Sequence, residues 1–200
     1  MTTAIPDGES GPTIFVLDVR NRPWDGMGMA ATQSHVTRLQ AAPAVRLAWN
    51  GELDPITRTA GPFVSSLFTA AIIGVLDEVI VTASEQLAKR VDQLRPYERI
   101  ESSRAELDHW VAVQAYEGAL GATGRGDSVH VSFAARRAKE AVAGLTEGVL
   151  LRITRVLAGR TFSRRSPFAH WFEDVRALGF LRPPWELAHD NLFATSIDQF

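Results

Sequence analysis

The chain has 200 residues, 46% hydrophobic and 22% charged, a balance that argues against disorder and suits one globular domain, or one domain plus a fragment. A net charge of −2 gives no reason to invoke nucleic acid or an acidic membrane as partner. The absence of cysteine excludes disulfides, thiolate metal sites and a cysteine nucleophile.

Residues 1–12, rich in Thr, Pro, Gly and Ser, read as a flexible tail without the basic start and apolar core of a secretory signal. Thr13 to Val19 is a short run of apolar, β-branched and aromatic residues and predicts a strand. Arg20 to Gly28 contains Pro23, Gly26 and Gly28, which is loop chemistry. Val36 to Leu39 and Val45 to Trp49 predict two more short strands, and Asn50-Gly51 a turn.

From there the apolar period becomes helical. Gly61-Pro62 opens a first long helix, with proline in the first turn, where its missing N–H costs nothing. Ile72, Leu76, Val79, Ile80, Ala83 and Leu87 form its stripe. A second helix is expected from about Ser102 to Leu120, with Leu107, Trp110, Val111 and Ala115 buried. Gly121 to Gly126 reads as a loop, and Asp127 or Ser128 as the cap of a third helix. Its stripe is Ala134, Ala138, Ala141, Leu145, Val149, Ile153 and Val156, and Gly159 ends it as a left-handed stop. Ser166-Pro167 starts a short fourth helix, and a last one follows Pro183-Pro184, from Trp185 to about Thr195.

The fold class is therefore mainly α: an antiparallel up-down helical bundle over 53–200, preceded by a small β-strand stub over 13–52. Three short strands cannot cover a face alone, so the stub needs helices or a partner chain. No apolar run reaches the roughly 18 residues of a membrane span. The longest candidate, Phe63 to Val81, is interrupted by Ser65, Ser66, Thr69, Asp77 and Glu78, so no membrane partner is expected and the default address is the cytoplasm.

Two segments resemble a known family. In Val156–Arg176, Gly159, Phe162, Pro167, Asp174 and Arg176 fall in step with the acyl-CoA dehydrogenase pattern of a glycine pair, an aromatic residue, Pro-Phe or Pro-Leu, and Arg-Asp-Ala-Arg. Upstream, Trp24 to His35 is similar to that family's Trp-x-x-x-Gly-Met-Arg-Ala-Thr-Gly-Ser segment. The order and separation of the two fit the same family. The resemblance implies a late β-domain followed by a C-terminal four-helix bundle, without the family's N-terminal half. It also implies FAD between β-domain and bundle, with an acyl-CoA thioester against the flavin.

What the resemblance implies for single residues is uneven. Arg90 takes the place of an arginine that reaches the FAD pyrophosphate of a neighbouring subunit, although Val91-Asp92-Gln93-Leu94 replaces the usual Thr-Phe-Gly; a solvated arginine at a helix C-terminus is the plain alternative. Ala158-Gly159 replaces the glycine pair, Arg155 stands where glutamine is common, and Ala30 replaces an arginine. Thr32 and Ser34 match positions near flavin or substrate; ordinary turn hydroxyls would look the same. The base that removes the α-proton must be a carboxylate within reach. The family's Tyr-Glu-Gly-Thr segment is missing, which leaves Glu186, displaced by several residues, or Asp54 just before the first bundle helix.

The expected function is that of an acyl-CoA dehydrogenase-like, FAD-dependent subunit or fragment oxidising a CH–CH group. It is expected as a homodimer or higher oligomer, with a heteromeric partner supplying the missing N-terminal half. Two other readings stay open: a catalytically inactive helical oligomerisation and interaction module, and a flavin-dependent monooxygenase relative.

Overall fold

The computed structural model describes residues 2–4, 13–17, 28, 43–46, 53–124, 128–181 and 184–197. Three strands form an antiparallel sheet in the order β1 (Thr2–Ala4), β2 (Thr13–Leu17), β3 (Ala44–Arg46). Phe15 is the hinge of the register, opposite Thr2 on one side and Arg46 on the other. The strand predicted over Thr13–Val19 is thus present in β2 and that over Val45–Trp49 in β3, each over the residues that the structure describes. The expected strand over Val36–Leu39 lies outside the described residues. Thr2–Ala4, expected within a flexible tail, is instead an edge strand: two β-branched threonines pair readily once a neighbouring strand offers its free edge.

The bundle consists of α1 (Leu53–Ala88), α2 (Pro96–Thr123), α3 (Ser128–Leu157), α4 (Phe168–Phe180) and α5 (Trp185–Ile197). Helix α1 begins eight residues before the predicted start, and Pro62 lies inside it. Pro55 is the proline that occupies the first turn, where the leading N–H groups have no intrahelical acceptor. Buried hydroxyls are satisfied within the helix: Ser66 donates to the Pro62 carbonyl at 2.9 Å and Thr69 to that of Ser65 at 2.9 Å. The segment Ala60–Ala88 holds an 18-residue window of mean hydropathy 1.9, long and apolar enough to cross a bilayer, against the sequence expectation. Its second half faces the bundle through Ile72, Leu76, Val79, Ala83 and Leu87, all buried as predicted. In the first half, Phe63, Val64, Leu67 and Phe68 face outward.

Helix α2 corrects the predicted stripe. Leu107, Trp110 and Val111 are exposed, and the buried seam is Ala105, Ala112 and Ala119. These alanines recur every seven residues and let α2 lie close against α3. A reading that weights large apolar residues selects the opposite face. Helix α3 packs on α1, α2, α4 and α5, and is buried on more than one side. Ala138, Val149, Ile153 and Val156 are buried as predicted, whereas Ala141 is exposed. Phe133, Val142 and Leu150 fill faces that a single stripe omits. Lys139, with its side chain only 2% exposed, donates to the Leu181 carbonyl at 2.8 Å and to Glu140 at 3.1 Å. It thereby brings a cation to the C-terminal end of α4.

The end of α3 departs from expectation in one residue. The left-handed backbone falls on Ala158, at φ 54°, and not on Gly159. A short 3-10 turn over Ala158–Phe162 follows. A side-chain-bearing residue there costs about 1–2 kcal/mol relative to a right-handed conformation. Ala158→Gly is therefore expected to stabilise the protein by about 1 kcal/mol, read as a rise in Tm, because the relieved strain exceeds the added flexibility of glycine. An unchanged or lower Tm would reject the strain.

Candidate functional site

The ends of α1 and α3 and the start of α2 meet at one end of the bundle. There Arg90, Glu98, Val156, Leu157, Ala158, Gly159 and Arg160 line a pocket of about 450 Å³. Two of the expected cofactor residues, Arg90 and Gly159, come together in it. A Cβ added at Gly159 would meet nothing within 4 Å, so no packing demand explains a glycine there.

Arg90 is bonded on both terminal nitrogens. Nη1 pairs with Glu98 Oε1 at 2.9 Å, and Nη2 donates to the Val156 carbonyl at 3.0 Å. Glu98 is held from a second side by the Arg95 backbone N–H, 2.8 Å from Oε2, as the returning half of a capping box at the start of α2. That backbone donor first, and the Arg90 guanidinium second, hold the Glu98 carboxyl below its ordinary value near 4.5. Tyr97 closes the same corner, its hydroxyl donating to the Arg155 carbonyl at 3.2 Å. The side chain of Arg155 itself is exposed in the last turn of α3.

A flavin dinucleotide would need a diphosphate cradle, and this donor set does not fit one. The guanidinium is already shared between a carboxylate and a helix-terminal carbonyl. The ionised Glu98, with its side chain 12% exposed, lines the same pocket and would repel phosphate. Arg90 is therefore committed to joining the ends of α1, α2 and α3.

The other expected residues do not converge here. Glu186 is exposed in the first turn of α5. Asp54 falls in the first turn of α1, but its side chain, like Thr32 and Ser34, lies outside what the structure describes.

A second juncture was not anticipated. Gly28, from the Trp24–His35 segment, is buried with φ 74°. A Cβ placed on it would come within 2.5 Å of the Glu173 carbonyl oxygen and 3.3 Å of the Asp174 nitrogen. The two segments that carried the family resemblance thus touch, backbone on backbone, at α4. The only signal for this in the sequence was the glycine itself.

No protein-family model and no curated protein sequence matches the chain. Several solved structures do. A KijD3 in complex with FMN and a dTDP-amino-keto sugar superposes with a TM-score of 0.79 at 19% identity, over 96% of this chain and 53% of its own. The nitrososynthase from Micromonospora carbonacea var. africana gives 0.74 at 20%, over 90% and 52%. An acyl-CoA dehydrogenase from Slackia heliotrinireducens gives 0.73 at 13%, over 98% and 56%. The fold is that of the acyl-CoA dehydrogenases. The chain spans little more than half the length of these acyl-CoA dehydrogenase-fold structures, and at such identities they establish architecture alone.

Proposed function

We propose that the chain is the helical part of a flavin-dependent oxidoreductase of the acyl-CoA dehydrogenase fold. The observation that supports it most directly is the seat of Gly28 on Glu173 and Asp174, which joins the late β-segment to α4. The match to a structure holding FMN adds support from outside the chain. In the finer form of this proposal the reaction is oxidation of a CH–CH group of an acyl-CoA-type substrate. Asp54, in the first turn of α1, is proposed as the base, since Glu186 is exposed on α5.

The chain is also proposed to act as a homodimer or larger assembly, or with a second polypeptide. Phe63, Val64, Leu67 and Phe68 line up on the outer face of α1, and such a row is more stable covered than wet.

One experiment tests both parts. Purified protein is mixed with FAD or FMN, and the visible spectrum and particle mass are recorded. The expected result is a bound yellow flavin on an assembly larger than one chain, bleached anaerobically by an acyl-CoA. A colourless chain that takes up neither flavin, alone or with a co-expressed neighbouring gene product, rejects the oxidoreductase reading. A flavin that binds but is not bleached by acyl-CoA rejects only the finer reaction.

A further inference from the structure

The same bundle end carries an uneven distribution of charge. The α1–α2 turn, residues 88–99, holds Lys89, Arg90, Arg95 and Arg99 against Asp92 and Glu98. The end of α3 and the turn after it, residues 155–166, hold Arg155, Arg160, Arg164 and Arg165 and no carboxylate. Eight cations against two anions give a formal +6 in a chain whose total is −2, so the remainder carries −8. The two turns are joined in space by the bonds from Arg90 to Val156 and from Tyr97 to Arg155.

Glu98 is spent on Arg90 and the Arg95 N–H, and the next acid along α2, Glu101, is taken by Arg104 and Arg152. Among the described residues, Lys89, Arg155, Arg160, Arg164 and Arg165 are exposed and have no ion-pair partner. Between them stand two exposed aromatic rings, Phe162 at 83% and Tyr97 at 51%.

We infer that this end of the bundle is a docking surface for an acidic face of a partner protein. Its composition is that of an interface centre, in which arginine and aromatic residues carry most of the binding energy. A small phosphate ligand is a poorer match: the cations are spread over two turns, and the pocket between them contains the Glu98 carboxylate. A nucleic acid is poorer too, because a continuous polyanion leaving the patch would run over a remainder of −8. An acidic protein face ends where the patch ends. The inference is independent of whether flavin is bound.

The test uses the full chain and a fluorescein-labelled peptide of Glu-Glu-Leu repeats as probe, titrated by anisotropy at low and moderate salt. Binding is expected at low salt and should weaken as salt rises. The triple reversal Arg160→Glu, Arg164→Glu and Arg165→Glu touches none of the Arg90 bonds and should cost about tenfold or more in affinity. A charge-matched control, Arg104→Glu, Arg137→Glu and Arg176→Glu, should stay within about twofold. Phe162→Ala should weaken binding about threefold or more, through loss of an aromatic anchor rather than of charge. Equal loss in both triple variants, or no binding by the native chain, would overturn the assignment. So would tighter binding of a single-stranded oligonucleotide, or displacement of the peptide by equimolar inorganic pyrophosphate, since either would give the surface to phosphate ligands.

Discussion

Gly28→Ala is expected to destabilise the protein by about 3 kcal/mol, the sum of a left-handed backbone that alanine adopts at a cost and a methyl group with nowhere to go. The added carbon would lie 2.5 Å from the Glu173 carbonyl oxygen and 2.8 Å from its carbon, both backbone atoms of α4. Neither can step aside as a flexible side chain would. The cost therefore appears as separation of the Gly28 segment from α4, or as a shift of α4 against α3. Thermal unfolding of the variant, beside Gly179→Ala in the same helix, checks this. Gly179 has open space around its Cβ position, and alanine there should hold or slightly raise Tm through better helix propensity. A Gly28 variant as stable as the Gly179 variant would mean that the two segments do not meet as described.

Arg90→Ala should be the more damaging of the two arginine deletions in the α1–α2 turn. It strands an ionised carboxylate at Glu98 and a helix-terminal carbonyl at Val156 together. Arg99, exposed and touching only the Val91 carbonyl at 3.5 Å, is the control, and Arg99→Ala should leave Tm nearly unchanged. The effect has a defined pH dependence. The Glu98 carboxyl titrates below its unfolded value near 4.5, so its contribution is fully present above that pH. It is lost as pH falls through the lower folded value. Native protein should thus exceed both Arg90→Ala and Glu98→Gln in stability at neutral pH. As pH falls from 4.5 through the lower folded value, the Glu98→Gln gap should close and the Arg90→Ala gap should narrow to the share of the Val156 carbonyl. Gaps that persist unchanged into acid would show that Glu98 is not held as an ion. Flavin uptake by folded Arg90→Ala should match that of the native chain, whereas an arginine on a pyrophosphate would lose it.

How much of this was legible in the sequence differs by element. The α1 stripe was read correctly because large aliphatic residues recur at helical spacing and only one face of that stretch is buried. On α2 the same rule chose the wrong side. Trp110 and Leu107 are large and apolar, but the geometry of close helix packing rewards the small Ala105, Ala112 and Ala119. Helix α3 is surrounded, so no single stripe describes it, and buried Lys139 and Thr146 break the apolar pattern while their polar atoms are bonded locally or to Leu181. The left-handed stop was misplaced by one residue because glycine is its usual occupant, and here the strain is borne by Ala158.

The candidate site was less legible. Arg90 stands out in the sequence only through the place it takes in the acyl-CoA dehydrogenase pattern. Its partners Glu98 and Val156 are set by the α1–α2 turn and by helix ends 66 residues apart, which no local pattern encodes. The charge segregation was invisible for a related reason. A net value near zero averages over a basic end and an acidic remainder that only the up-down topology separates.

The central position of α3 has a consequence for how the chain comes into being. During synthesis α1 and α2 emerge first, and most of their apolar and alanine seams are designed to meet a helix not yet made. A hairpin of α1 and α2 alone leaves bare the sides of both helices that pack on α3. The nascent chain must therefore wait, apolar and open, until Leu157 has cleared the ribosome, and the interval before α3 arrives is when it most needs a chaperone or a partner.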